Sequence, residues 1–142
     1  MHSILVIDDE VDVRDGIARV LDRAGFSVRA VDNAIDGMLE LELAPADVVI
    51  TDIIMPKLNG VDAIDAILRA FPAVRIIAIS GGGNFDITGY QPASITTSAY
   101  LAAAKKAGAH FILTKPFGSR ELIDAVTQVI GGTSATASGN SP

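Results

Sequence analysis

The sequence predicts an α/β fold: a five-stranded parallel sheet of order 2-1-3-4-5, with helices on both faces, in the flavodoxin-like arrangement. Three observations predict it. Short aliphatic runs alternate five times with segments of helical period, and strands that are apolar on both faces belong in a parallel sheet covered by helices. Only the second run alternates apolar with polar residues, which marks it as an edge. Right-handed crossovers then leave few orders, and 2-1-3-4-5 places strand two at that edge.

Strand one is Ile4-Leu5-Val6-Ile7, an aliphatic run that ends in acids. From Glu10 to Ala24, residues Val13, Ile17, Val20, Leu21 and Ala24 share one helical face. Gly25 is placed to end that helix. Phe26-Ser27-Val28-Arg29-Ala30 is the alternating strand two. Ala34 to Leu43 reads as a helix with Ala34, Met38 and Leu41 on one face, stopped by Pro45. Val48-Val49-Ile50 is strand three, closing at Thr51-Asp52. Met55 to Gly60 is a loop, and the third helix runs to about Ala70 with Ile64, Ile67, Leu68 and Phe71 aligned. Val74 to Ile79 is strand four. Gly81 to Thr97 reads as a long loop, followed by a helix at about Ser98 to Ala107. Phe111 to Leu113 is strand five, and Arg120 to Ile130 is the last helix, with Leu122, Val126, Val129 and Ile130 inward. The tail 132–142 is uncharged, rich in Gly, Ser and Thr, and reads as flexible.

Composition narrows the function. The 142 residues carry a formal net charge of -6 and no cysteine. Disulfide scaffolds, thiol nucleophiles and thiolate metal sites are excluded. The acidic balance opposes electrostatic binding to nucleic acid or anionic membranes. No apolar stretch approaches a membrane span, and Met1 to Ile7 lacks the basic start of a secretory signal. The expectation is a cytoplasmic protein with no nucleic-acid or membrane partner.

Four features sit where strands end: Asp8-Asp9 after strand one, Asp52 after strand three, Ser80 after strand four, and Lys115-Pro116 after strand five. In open α/β sheets, ligands bind beyond the carboxyl ends of the strands, at the switch in strand order. Here that switch lies between strands one and three, so Asp8, Asp9 and Asp52 converge. Three carboxylates together either gain protons or attract a cation. An all-oxygen acidic site suits Mg²⁺. A carboxylate can also act as a nucleophile and form an acyl phosphate. Lys115 then supplies a point charge, and Ser80 a hydrogen bond, to phosphoryl oxygens.

These motifs, Ile4 to Glu10, Asp52-Ile53-Ile54-Met55-Pro56 with Asn59-Gly60, Ser80, and Lys115-Pro116-Phe117, resemble the receiver domain of two-component response regulators. The resemblance covers residues 3 to 130. It implies a receiver domain at 1–131 of the stand-alone, single-domain type, a phosphorylation-controlled switch that acts through protein contacts. Asp52 resembles the phosphoacceptor. Asp9 resembles the direct Mg²⁺ ligand, Asp8 an acid acting through metal-bound water, and the main-chain carbonyl of Ile54 the third protein ligand. Ser80 and Lys115 resemble the residues that hold the phosphoryl group, and the Lys115-Pro116 bond is often cis in the family. The implied donor is a phosphohistidine on a sensor histidine kinase or a histidine phosphotransfer protein, and the downstream target is a protein. The implied protein is no enzyme beyond its own phosphorylation and dephosphorylation.

Three features depart from the family pattern. Ile112 stands where an aromatic switch residue is common, with Phe111 on the opposite strand face. The span from Ser80 to Lys115 is long, with an insertion at about 82–95. No effector domain is expected after the receiver. Ile54 and Gly82, two residues after Asp52 and Ser80, offer no polar side chain to an attacking water, so slow self-dephosphorylation is expected.

Other readings weigh less. An aspartyl phosphohydrolase of similar chemistry places a second acid two residues after the nucleophile, where this chain has Ile54. A phosphorylation-independent interaction module on the same fold is set against intact Asp8, Asp9, Asp52, Ser80 and Lys115. A DNA-binding regulator lacks a basic stripe. Asp9 as a plain helix cap is the bland alternative to a metal ligand. Gly81-Gly82-Gly83 lacks the Gly-Lys-Ser/Thr of a phosphate loop. His2 and His110 are isolated, Lys105-Lys106 read as a solvated face, and Phe85, Tyr90 and Tyr100 read as pins for the insertion.

Overall fold

The computed structural model describes residues 2–53, 60–80 and 102–131. In chain order the elements are β1 (Ser3–Ile7), α1 (Val11–Arg23), β2 (Ser27–Val31), α2 (Ala34–Leu43), β3 (Val48–Asp52), α3 (Gly60–Ala70), β4 (Arg75–Ser80), β5 (Phe111–Thr114) and the last helix, Ser119–Ile130. Helical residues 102–107 precede β5. They are α4 below, and the last helix is α5. The expected insertion at 82–95, the loop from Ile54 to Asn59, the aromatic residues Phe85, Tyr90 and Tyr100, and the tail 132–142 lie outside the described residues.

The sheet is parallel and runs β2-β1-β3-β4-β5, the order expected from the single alternating strand. β2 is only partly covered along its length, as an edge should be. Four of the five strands differ from expectation by one residue at one or both ends: β1 begins at Ser3, β2 spans Ser27–Val31 and β4 begins at Arg75. β4 extends to Ser80 and β5 to Thr114 because these two residues pair across the sheet. The ladder is prolonged by Lys115 N–H donating to Ser80 O at 3.1 Å.

Alternation along each strand sends side chains into two separate cores. Leu5, Ile7, Val49, Ile76 and Ala78 meet Leu41, Ile64, Ile67 and Ala104 on one face. Ile4, Val6, Ile50, Ile77 and Ile79 meet Ile17, Leu21, Leu122 and Val126 on the other. Most of these side chains are fully buried, and burial of each large one stabilises by about 1.5–3 kcal/mol before entropy is charged against it. The two faces also separate Ile112 from Phe111. Ile112 packs toward the α2–α3 core and Phe111 toward the α1–α5 core.

Local chemistry fixes the ends of the helices. Gly25 follows the C-cap of α1 at φ +102°, a conformation that costs glycine little. Asn33 caps α2, its side chain accepting from Asp36 N–H at 2.8 Å. Gly37 lets α2 approach β1, since a Cβ there would stand 2.6 Å from Ile7 Cδ1. Arg29 projects from β2 to the C-terminal end of α2, where its guanidinium donates to Glu40, Ala44 and Pro45. Glu40 O also accepts the Ala44 N–H at 3.0 Å, so the guanidinium adds a second donor there and supplies one to the Ala44 and Pro45 carbonyls past the end of the helix. Lys105 and Lys106 are exposed, as read from sequence.

Candidate functional site

Four polar residues are buried in the described structure: Asp8, Thr51, Asp52 and Ser80. All lie at the carboxyl ends of β1, β3 and β4. The register accounts for this. Ile7 pairs with Thr51, Thr51 with Ala78, and Asp52 with Ile79, so the three strands end level and deliver their last residues to one edge.

Asp8 is fully buried. Its Oδ1 accepts the Glu10 N–H at 2.9 Å, a turn closed by the aspartate side chain two residues back. Its main-chain carbonyl accepts from Arg14 Nη1, also at 2.9 Å. The second carboxylate oxygen, Oδ2, is buried without a hydrogen-bond partner among the described residues. Burial pushes the Asp8 carboxyl above the usual aspartate range, helped by the charges of Asp9 and Glu10, against the opposing pull of the Glu10 N–H and Lys115.

Lys115 reaches this edge from the end of β5. Its Nζ lies 3.1 Å from Glu10 Oε1 and 3.7 Å from Asp52 Oδ2. Burial pulls the ammonium pKa down. The Asp52 charge, the Glu10 hydrogen bond and the charges of Asp8 and Glu10 outweigh it, so Lys115 titrates above the ordinary lysine range. The Lys115-Pro116 peptide bond is cis. Ser80 Oγ is buried with no hydrogen-bond partner among the described residues.

Of the predicted acids, Asp8 and Asp52 converge beside Lys115, and Glu10 joins them. Asp8, Glu10 and Asp52 each offer a carboxylate oxygen, and these oxygens lie within 4.8 Å of one another. Asp9 is exposed and is not of this group. Nor does Asp9 cap α1, because Glu10 holds the N-cap position. Glu10 is the member that sequence reasoning missed. The signal was the Asp-Asp-Glu run at a strand-to-helix turn, where the residue at the helix start faces the strand ends. Ile54 lies outside the described residues.

The residues present fit a hard divalent cation. Three carboxylates offer oxygens within 4.8 Å of one another, and the Asp8 Oδ2 is buried without a hydrogen-bond partner among the described residues, a place for a positive partner. The donors are all oxygen, as Mg²⁺ prefers.

A sequence profile described as the response regulator receiver domain matches residues 4–91. The chain belongs to the response regulator receiver domain family. Among curated relatives, the receiver domain is 30% identical over 124 residues to the nitrogen assimilation regulatory protein NtrX of Azorhizobium caulinodans, covering 86% of this chain and 24% of that protein. It is 28% identical over 127 residues to the chemotaxis protein CheY of Thermotoga maritima, covering 89% of this chain and 95% of that one. The crystal structure of the receiver domain of NtrX from Brucella abortus superposes with a TM-score of 0.77 at 29% identity, covering 92% of this chain and 99% of that one. The chain therefore spans about a quarter of the NtrX relative and nearly all of CheY. Receiver domains belong to two-component systems and are signalling domains rather than classical enzymes. No helix among the described residues is long and apolar enough to cross a membrane.

Proposed function

We propose that this receiver accepts a phosphoryl group on Asp52 from a phosphohistidine donor, with Mg²⁺, and signals through protein contacts. The observation that carries the reading is the pairing of a nearly buried carboxylate, Asp52, with Lys115 Nζ at 3.7 Å, beside a buried hydroxyl with no partner among the described residues. An Asp52 oxygen attacks phosphorus, the P–N bond to imidazole breaks, and its electron pair leaves on the ring nitrogen. An acyl phosphate results. Lys115 neutralises charge on the phosphoryl oxygens, and the Ser80 hydroxyl donates to one of them. Asp8, Glu10 and Asp52 are the described side chains suited to hold Mg²⁺, with Asp9 and the Ile54 carbonyl as the ligands the family pattern adds. When bound, the ion offsets the negative charge that Asp52 and the phosphoryl group bring together.

A groove on the surface supports an approach for the donor. An apolar groove of about 370 Å³ between α1 and the start of α5 is lined by Val13, Ile17, Val20, Phe117 and Leu122, and Lys115 forms part of its wall. A sensor histidine kinase or histidine phosphotransfer helix seated there would carry its phosphohistidine to the site. The output is a protein target, not nucleic acid or membrane, in keeping with the net charge of -6. A cytoplasmic location belongs to the same reading.

Mass spectrometry after incubation with a small phosphodonor and Mg²⁺ tests the assignment. One phosphoryl group is expected on wild type and none on Asp52→Ala. Labelling that survives in the variant would move the acceptor elsewhere.

A further inference from the structure

The described residues include four large apolar side chains that are well exposed: Val11 at 52%, Ile35 at 59%, Leu39 at 53% and Leu43 at 80%. Isolated exposed apolar residues are ordinary. Three of these four, however, lie on α2 at spacing i, i+4, i+8. They form one stripe about 80° wide on its outer face. The inner face of the same helix, Ala34, Gly37 and Leu41, is buried. The stripe is therefore not a misplaced core face. It is a second apolar surface, and nothing in the described structure covers it.

Charge says what kind of partner fits. On the helical wheel Glu42 borders the stripe on one side and Asp36 on the other, and both are exposed. The last turn of α2 carries no base. Arg29 is already engaged by Glu40 and the carbonyls of Ala44 and Pro45. We propose that the outer face of α2 docks an amphipathic helix of a partner protein, one with apolar residues at i, i+4 spacing flanked by Lys or Arg. A second copy of this chain fits poorly, because pairing two stripes brings like charges together. An anionic membrane is opposed by the same acids. The surface does not involve Asp52 or Lys115, so this proposal and the phosphoryl reading stand or fall separately.

The probe is a pair of labelled helical peptides of equal apolar content, one flanked by Lys and one by Glu, titrated with the full chain by fluorescence anisotropy. The Lys peptide is expected to bind at least tenfold more tightly than the Glu peptide. Leu39→Ser with Leu43→Ser is expected to weaken it at least tenfold, with the thermal midpoint of the variant unchanged because both side chains are exposed. Asp36→Lys with Glu42→Lys is expected to reverse the peptide preference. Equal affinity for the two peptides, or binding unchanged in the Leu39/Leu43 variant, would overturn the proposal. So would wild-type self-association in sedimentation equilibrium that the Leu39/Leu43 variant abolishes, since the occupant would then be a second copy.

Discussion

Lys115 sits closer to Glu10 than to Asp52, with its Nζ at 3.1 Å from Glu10 Oε1 and 3.7 Å from Asp52 Oδ2. The ammonium serves both carboxylates at once. It also occupies part of the field in which a divalent cation would bind, because Asp8, Glu10 and Asp52 offer their oxygens to one point.

Two substitutions therefore shift Mg²⁺ affinity in opposite directions. Lys115→Ala removes a competing positive charge and is expected to tighten Mg²⁺ about tenfold, while slowing phosphoryl uptake by at least as much. Glu10→Gln removes one of the acids and is expected to weaken Mg²⁺ about tenfold. Both figures follow from a Coulomb energy of ~1–2 kcal/mol for a divalent ion and a unit charge about 5 Å apart in a solvated site. Isothermal titration on the metal-free protein checks both. If Glu10→Gln leaves affinity unchanged, Glu10 is a tether for Lys115 and not part of the cation site.

Ser80 separates stability from function. Its hydroxyl is buried with no partner among the described residues, and an unsatisfied buried polar group costs about 1–3 kcal/mol. Ser80→Ala removes that group with little change of volume. Urea unfolding is expected to show the variant equal to wild type or up to ~1 kcal/mol more stable. Phosphoryl uptake is expected to slow, since the hydrogen bond to the transferring group is lost. A clear loss of stability would mean that the hydroxyl already has a partner in the free protein.

Much of this site was legible because each residue ends an aliphatic run. Asp8, Asp52, Ser80 and Lys115 mark the strand ends by themselves, and strand order follows from the one alternating strand at Ser27 to Ala30. Glu10 was harder to read. Whether its side chain joins the acids depends on the residue at which α1 begins, and Asp9 and Glu10 both suit a helix start. The Asp8 turn decides it by fixing the Glu10 N–H. The outer face of α2 was hidden for a different reason. Ile35, Leu39 and Leu43 repeat with the same period as the inward residues, and periodicity finds an apolar face without saying which of two faces meets the sheet. Gly37 settles it, since only a residue without a side chain passes Ile7 so closely.

The last prediction concerns His110, which is isolated in the sequence from other metal-ligating residues. The structure shows it packed and bonded. Its Nδ1 accepts the Ile76 N–H at 3.0 Å, and its main-chain N–H donates to Ile76 O at 2.8 Å. The histidine thus anchors the entry of β5 against β4. Accepting that bond requires a neutral Nδ1. Burial lowers the imidazole pKa below the ordinary histidine range, and the nearby Arg75 charge lowers it further. In the unfolded chain the same ring takes up a proton near ~6.5. Between the folded and unfolded values, the unfolded state holds more protons, so stability falls as pH falls. The contribution is fully present above about pH 6.5 and is lost as pH drops through the folded value. His110→Asn keeps an acceptor, through its side-chain carbonyl, and removes the titration. Urea unfolding of both proteins at a series of pH values between about 8 and 5 is expected to show a steeper decline for wild type. Their difference isolates His110 from the carboxylates and His2, which are common to both. Parallel curves would mean that the Ile76 bond does not depend on the charge of the ring.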